Sequence, residues 1–297
     1  MPHVDPRTAF AEKLLQEGLP VAGSVIADGE IHRFYVEGDK RASKNGWYVL
    51  HLGRITAGAY GSWRSGVWST WCDKQIHHMS DAERWEHEKR IQNIKQQRRE
   101  LQRQKQRETA IRAEELWASA APADPDHPYL KLKGVKPYQL RQKGNCLLVP
   151  LVDAQGRLWN LQRIFPDGTK RFLTGGRVKH CFSVIPGSNS ETVLVCEGFA
   201  TGATARDLSG YMVLCAMNAK NLQSVAHTAS FMGDNQVRIC ADNDHRTKGN
   251  PGLTEGRLAA WATGADLTWP PTCGKNCMCT DFNDVLNCPV AKGGKPS

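Results

Sequence analysis

The chain has 297 residues, is 40% hydrophobic and carries a formal net charge of +9. That length fits roughly two domains with a sizeable core, and no stretch approaches the ~18–20 apolar residues of a membrane span, so no membrane partner is expected. The positive balance favours a polyanion such as nucleic acid, against the plainer reading of a merely basic soluble protein.

Residues 1–78 read as a small α+β or β-rich module. "AFAEKLLQEGL" has helical periodicity, and "IHRFYV", "GWYVLHL", "AGAYGSW" and "GVWSTWC" read as short strands between turns. The start "MPHVDPRTAFAEKL" lacks the basic-then-apolar order of a signal peptide. Five of the ten cysteines sit singly in apolar runs (Cys146, Cys181, Cys196, Cys215, Cys240), so the chain reads as cytoplasmic with reduced thiols. Aromatics here interleave with cations, a mixture that suits single strands because bases stack while cations hold phosphates. Arg33, Tyr35, Trp47, Trp63 and Arg64 are the candidates for binding single-stranded DNA. The alternative makes most of these aromatics the core of a small sheet.

Residues 79–122 hold no Gly or Pro before Pro122 and open on "SDAE", a capping-box pattern of Ser80 and Glu83. A helix of this length spans on the order of 55–60 Å at ~1.5 Å per residue. Its apolar positions (Trp85, Ile91, Ile94, Leu101, Ile111, Leu116) are too sparse for a heptad seam. It reads as a long charged, solvated connecting helix; the alternative puts its Arg/Lys face against phosphates.

"APADPDHP" breaks the helix. Over residues 123–189, strand-like runs alternate with the turns "DAQG", "PDG" and "TGG". This reads as a curved antiparallel sheet running to Ile185 and carrying Arg157, Arg163, Lys170, Arg171, Arg177 and Lys179. Residues 190–290 alternate strand and helix, so they form a mostly parallel sheet with helices on both faces.

In such sheets functional groups gather at the carboxyl ends of strands. Glu197 ends the first strand of the series; Asp242 and Asp244 end the third. Three clustered carboxylates resist ionising together without a cation, and hard Mg²⁺ is the natural partner. Gly198 lets the backbone turn closely into the helix that follows. The alternative reading makes these carboxylates helix caps.

Glutamate–glycine after one strand and D-x-D after a later one resembles the TOPRIM pattern of DnaG-type primases, type IA and II topoisomerases and OLD-type nucleases. "LLVPLVDAQGRLWNLQRIFPDGTKRFLTGGRVKHCF" resembles the basic, RNA-polymerase-like subdomain that precedes TOPRIM in primases. "VCEGFATGATA", "ADND" and "TDFND" look most like the TraC-like primases of phages and conjugative plasmids. "ADGEIHRFYVEGDKRASKNGWYVLHLG" is similar to a module at the front of phage and plasmid primases. The resemblance covers most of the chain apart from the long helix.

The resemblance implies an α/β fold: a TOPRIM domain over 190–290, a mixed α+β RNA-polymerase-like subdomain over 123–189, the long helix over 79–122 and the aromatic-rich module over 1–78, with 291–297 as tail or linker. It implies a DNA primase making short RNA primers on single-stranded DNA from nucleoside triphosphates, with Mg²⁺ (or Mn²⁺) and a replicative helicase in cis or trans as partner. Glu197, Asp242 and Asp244 match the metal-binding, catalytic carboxylates. Arg163, Lys170, Arg171 and Lys179, with Gly198, fall where the family holds nucleotide or template phosphates. Asp281 and Asp284 either add outer metal-binding carboxylates or serve as a turn and helix cap.

Two rivals share these residues: a metal-dependent nuclease, and a non-catalytic nucleic-acid-binding accessory protein. Nucleases of this kind pair with an ATPase, and the chain has no G-x-x-x-x-G-K-[ST] motif. The chain also departs from DnaG-type primases, because residues 1–70 hold no cysteine for an N-terminal zinc ribbon. Cys72 with His77 or His78 supplies too few ligands. Near the C-terminus, Cys273, Cys277, Cys279 and Cys288 are enough for tetrahedral zinc, although their irregular spacing favours reduced loop cysteines.

Overall fold

The computed structural model describes residues 5–39, 43–53, 55–73, 79–233, 235–273 and 278–291. The chain divides into two compact units, Met1–Arg99 and Glu100–Ser297. Among the described residues no helix is long and apolar enough to cross a membrane.

In the first unit, helix α1 (Pro6–Gln16) starts with Pro6 in its first turn and with the Asp5 carboxylate accepting the Arg7 N–H. Strands β1 (His32–Phe34), β2 (Gly46–His51), β3 (Ala57–Ser62) and β4 (Trp68–Cys72) follow as an antiparallel meander in chain order. The period-2 alternation of β2 sorts its side chains. Tyr48 and Leu50 pack with Phe10 and Leu14 of α1. Trp47 and Val49 pack with Ala59 and with Ile94 of helix α2 (Asp81–Ala118).

Trp47 is therefore core, only 2% exposed, and is withdrawn as a stacking platform for bases. Its truncation is expected to cost about 3–5 kcal/mol, the range for a buried Trp→Ala. The urea midpoint of Trp47→Ala, followed by circular dichroism, measures this.

Helix α2 opens on the capping box read from the sequence: Ser80 N–H donates to Glu83 Oε2 at 2.8 Å and Glu83 N–H to Ser80 Oγ at 3.4 Å. It is more than a solvated rod. Within the second unit, Ala113 is fully buried beside Leu116 and Trp117 against Cys146, Leu148 and Leu161. Thr109 and Ala110 are buried too, and Thr109 Oγ1 donates to the Thr174 carbonyl at 3.1 Å. These contacts run through small residues, while Trp85, Leu101 and Ile111 stay exposed.

The second unit has two sheets. Strands β5 (Ala121–Pro122), β6 (Arg141–Lys143), β7 (Cys146–Val152), β8 (Leu158–Ile164) and β9 (Lys170–Phe172) form an antiparallel meander, with the short helix α3 (Pro128–Lys133) between β5 and β6. The other sheet contains β10 (Ser183–Ile185), β11 (Asn189–Cys196), β12 (Tyr211–Cys215), β13 (Gln236–Cys240) and β14 (Asp266–Thr268), in the order β10-β12-β11-β13-β14. All pairings there are parallel except β10 with β12.

β10 thus belongs to the α/β sheet, not to the antiparallel sheet that the sequence reading extended to Ile185. A Val152–Phe182 bridge, with N–H···O bonds of 2.9 Å in both directions, ties the two sheets. The buried Asn221 amide adds bonds from its Nδ2 to the carbonyls of Cys181 and Ala216, both 2.8 Å.

Helices cover both faces of the α/β sheet. α4 (Phe199–Ser209) packs Phe199, Ala200 and Ala203 with Leu194, Cys196, Val213 and Cys215. On the other side α5 (Leu222–Ala229) and α6 (Pro251–Thr263) pack Val225 and Leu253 with Val193, Val195 and Leu214. The last helix, α7 (Phe282–Asn287), lies against α3 and α4.

Candidate active site

The carboxylates stand just past the carboxyl ends of two adjacent parallel strands. Cys196 of β11 is in register with Cys240 of β13, so Glu197, one residue past its strand, and Asp242, two past its own, leave the same edge of the sheet. The Glu197 carbonyl accepts the Met217 N–H at 2.7 Å, and its carboxylate accepts the Ala219 N–H. Met217 turns the chain there through a left-handed backbone (φ 67°). Glu197 Oε2 and Asp242 Oδ1 are both buried with no hydrogen-bond partner among the described residues.

Asp244 is partly committed elsewhere. Its Oδ2 accepts the Gly252 N–H at 2.9 Å at the start of α6, so the helix-cap reading holds for that oxygen. Asp281 caps α7 by accepting the Asp284 N–H at 2.7 Å. Asp284 is engaged as well: its Oδ1 accepts from Lys133 Nζ at 2.8 Å. The cap reading of "DFND" is thus realised, although Asp281 still adds its charge to the cluster.

The electrostatics draw these groups into one field. Burial raises the Asp242 pKa to about 8, reinforced by repulsion from Glu197, Asp281 and Asp244 and opposed by Lys170. Burial also raises Glu197, with Asp244 adding to it and the Ala219 N–H and Lys170 opposing it. Two desolvated carboxylate oxygens without donors, in mutually repelling groups, fit a hard cation that prefers oxygen ligands.

A pH dependence follows. The folded-state pKa of Asp242 (about 8) exceeds its unfolded value near 4, so the folded protein binds the extra proton between them. Metal-free stability is therefore expected to fall as pH rises from about 4 to about 8. Mg²⁺ binds the ionised form, so its stabilising effect is expected to grow across that window. Melting curves with chelator or Mg²⁺ from pH 5 to 8.5 check this; a Mg²⁺ effect that is flat with pH contradicts it.

Strand alternation splits the basic residues read from the sequence. Lys170 pairs with Ile164, and Arg163 stands directly opposite Arg171. Neighbours on a strand point to opposite faces. Lys170 shares a face with Ile164, Leu147 and Val149 and feels the charges of Asp281, Asp242 and Glu197. Much of its surface is open to solvent, yet the surrounding protein, followed by Lys133, lowers its pKa.

Arg163 and Arg171 instead share the face of Leu148 and Leu161, towards α2. Like charges directly opposite on paired strands repel, an arrangement an anion relieves. Lys179 is exposed next to His180, whose pKa burial and then Lys179 lower, and its carbonyl accepts from Arg177 Nε at 3.0 Å. Gly198 does not serve as expected. Its φ of −114° suits any residue, and an added Cβ would meet only Thr201 Oγ1 at 3.9 Å.

Sequence reasoning missed α3. Its Tyr129 is 2% exposed, its hydroxyl has no hydrogen-bond partner among the described residues, and burial pushes its pKa up to about 12. The Lys170 ammonium lies 5.6 Å from the centroid of the Tyr129 ring. Burial works against the Lys133 charge, but Asp284 and Asp281 outweigh it and raise its pKa. The signal was Pro128 followed six residues later by Gly134, which ends the helix in the left-handed region (φ 61°).

In the first unit, Tyr35 and Trp63 are about half exposed, Arg33 is exposed with its Nε donating to the Lys44 carbonyl at 2.9 Å, and Arg64 pairs with Asp39 at 2.6 Å. Of the four C-terminal cysteines, Cys277 lies outside the described residues. The Sγ atoms of Cys273, Cys279 and Cys288 all lie within 4.8 Å of one another.

Comparison with known proteins agrees with this architecture. Residues 192–288 match the family model described as Toprim domain. The chain is 34% identical over 285 residues to a DNA primase TraC of Escherichia coli, covering 91% of this chain and 27% of that protein. It is 31% identical over 287 residues to a second Escherichia coli DNA primase TraC, covering 91% of this chain and 20% of that one. A crystal structure of the Aquifex aeolicus primase, with its zinc-binding and RNA polymerase domains, aligns at TM-score 0.41 and 11% identity over 96% of this chain and 83% of that one. The chain thus spans about a quarter of the length of the curated relatives it matches, and it carries a Toprim domain over residues 192–288.

Proposed function

We propose that this chain is the catalytic part of a DNA primase, making short RNA primers on single-stranded DNA for phage, plasmid or other mobile-element replication. The observation that carries the reading is the pair of buried, partnerless oxygens on Glu197 and Asp242 within the electrostatic reach of Lys170. Likeness to DNA primase TraC over 91% of the chain supports it. Glu197, Asp242 and Asp244 hold Mg²⁺ or Mn²⁺, with Asp281 as an outer charge. The bound ion lowers the pKa of the primer 3′-hydroxyl and neutralises charge on the incoming triphosphate.

Lys170, within the field of the carboxylates, contacts the nucleotide phosphates, and the Lys133–Asp284 pair joins α3 to α7. Arg163 and Arg171, on the other face of their sheet, position template phosphates, which fixes register without reading bases. Tyr35 and Trp63 offer stacking surfaces in the N-terminal module, and a replicative helicase acts in cis or trans. The catalytic domain is proposed to start at β10, before the sequence-based limit at residue 190.

The test is incubation of the full chain with single-stranded DNA of varied sequence, labelled ribonucleotides and Mg²⁺ or Mn²⁺, beside a Glu197→Gln, Asp242→Asn control. Short labelled products from the wild type alone are expected. Metal-dependent shortening of the DNA without products would replace the primase by a nuclease. DNA binding with neither reaction would make it a binding module.

A further inference from the structure

The cysteines near the C-terminus divide sharply from the rest. Cys146, Cys181, Cys196, Cys215 and Cys240 sit within apolar core clusters, where each acts as a small hydrophobe. Burial pushes the thiols of Cys181 and Cys240 up, to about 11 and about 12. Cys273, Cys279 and Cys288 belong to none of the clusters, yet the fold gathers them. They come from three places: the segment after β14, the residue just before Thr280 and Asp281, and the C-cap of α7, where the Cys288 N–H donates to the Val285 carbonyl.

We infer that Cys273, Cys279 and Cys288 are three ligands of a structural zinc ion. A tetrahedral zinc–thiolate site has Zn–S bonds of about 2.3 Å, which sets its sulfurs about 3.8 Å apart. Three sulfurs already within 4.8 Å of one another need shift little to reach that geometry.

The donor type separates this site from the carboxylates. Soft thiolates select zinc, and hard oxygens select magnesium. Each thiol that binds zinc releases its proton, and an all-thiolate donor set marks a structural rather than a catalytic ion.

The placement gives the ion its purpose. Cys279 and Cys288 bracket α7, which has only six residues. A helix that short does not persist on its own propensity. α7 carries Asp284, which binds Lys133, and starts at its cap Asp281, whose charge reaches Asp242 and Lys170. Its Asn283 is fully buried and donates to the Lys133 carbonyl at 2.7 Å and to Thr204 Oγ1 at 2.9 Å. A zinc clip at both ends of α7 therefore fixes one wall of the carboxylate site from outside it.

The experiment uses the untagged full chain, purified without chelator from zinc-supplemented culture. Metal analysis is expected to find about one zinc per chain, released in step with titration of the thiols by a mercurial. Replacement by Co²⁺ is expected to give the intense visible and near-ultraviolet bands of tetrahedral cobalt–thiolate coordination. Cys273→Ser and Cys279→Ser are expected to retain roughly tenfold less zinc and to lose those bands, whereas Cys72→Ser keeps both. Should a serine variant fail to fold, the wild-type zinc content and cobalt spectrum decide the matter unaided. Zinc below about a tenth of an equivalent after reconstitution, cobalt bands unchanged in both variants, or a disulfide among these cysteines in the purified protein would overturn the assignment. Because zinc content is read without primer synthesis, the outcome is independent of whether the chain is a primase.

Discussion

Asp242→Asn is expected to abolish the proposed primer synthesis while making the metal-free protein more stable than wild type. Asp242 presents a buried oxygen with no donor, and its ionisation is opposed by burial and by three other carboxylates. At pH 8 in chelator that charge is a liability. An amide keeps the shape, removes the repulsion and can donate to the partnerless Glu197 Oε2. The melting temperature should rise by about 2–4 °C for each kcal/mol relieved. Loss of a metal-binding carboxylate removes several kcal/mol of transition-state stabilisation, so synthesis should fall on the order of 10³-fold. Mg²⁺ should no longer raise the melting temperature. Synthesis within tenfold of wild type would remove Asp242 from the site. Loss of synthesis together with loss of stability would mean that the carboxylate serves the fold.

Gly252→Ala tests the same site from behind. Gly252 is the second residue of α6, and an added Cβ would fall 2.7 Å from the Asp242 carbonyl, 2.9 Å from Asp244 Oδ2 and 3.0 Å from the Asp242 Cβ. Helix propensity alone favours alanine there by roughly 1 kcal/mol. The clash outweighs it, because a strand-end backbone cannot yield without carrying both aspartates along. Overpacking of this kind costs about 1–3 kcal/mol. A displacement of about 1 Å at the reacting centre costs on the order of 10²-fold in rate. The expected result is a lower melting temperature and a fall in primer synthesis larger than the stability loss explains. Gly198→Ala meets open space and should leave stability unchanged. Wild-type synthesis by Gly252→Ala would mean that the aspartates have more latitude than their packing shows.

The parallel series was legible because β11, β12 and β13 are apolar runs that each end at a polar or small turn, and α4 to α6 follow the strands in strict alternation. Glu197 and Asp242 were legible for the same reason: carboxylates that close apolar strands have few structural uses. The antiparallel segment was legible as strands, but not by face. Arg163, Lys170 and Arg171 read as one set in sequence, and only the Arg163–Arg171 register shows that Lys170 alone faces the acids. α3 escaped notice because six residues carry too little periodicity, and with it Tyr129 and Lys133. Trp47 and Trp63 were indistinguishable in composition; Trp47 sits on β2, which is buried on both faces, whereas Trp63 follows the end of β3 and stays half exposed. The packing of α2 in the second unit was missed because its fully buried residues there are Thr109, Ala110 and Ala113.

The Val152–Phe182 bridge and the Asn221 amide also bear on how the protein opens. The bridge joins the sheet that bears Lys170 to the strand that leads into the sheet bearing Glu197, and Asn221 clamps the same corner through two carbonyls. Separating cation from carboxylates requires breaking buried hydrogen bonds and splitting a shared apolar core. Such an event belongs with cooperative unfolding rather than with local breathing. The spacing between Lys170 and the carboxylates is therefore set once, when the chain folds, and the nucleotide proposed to bind there would meet a receptor whose ordering entropy was spent before it arrived.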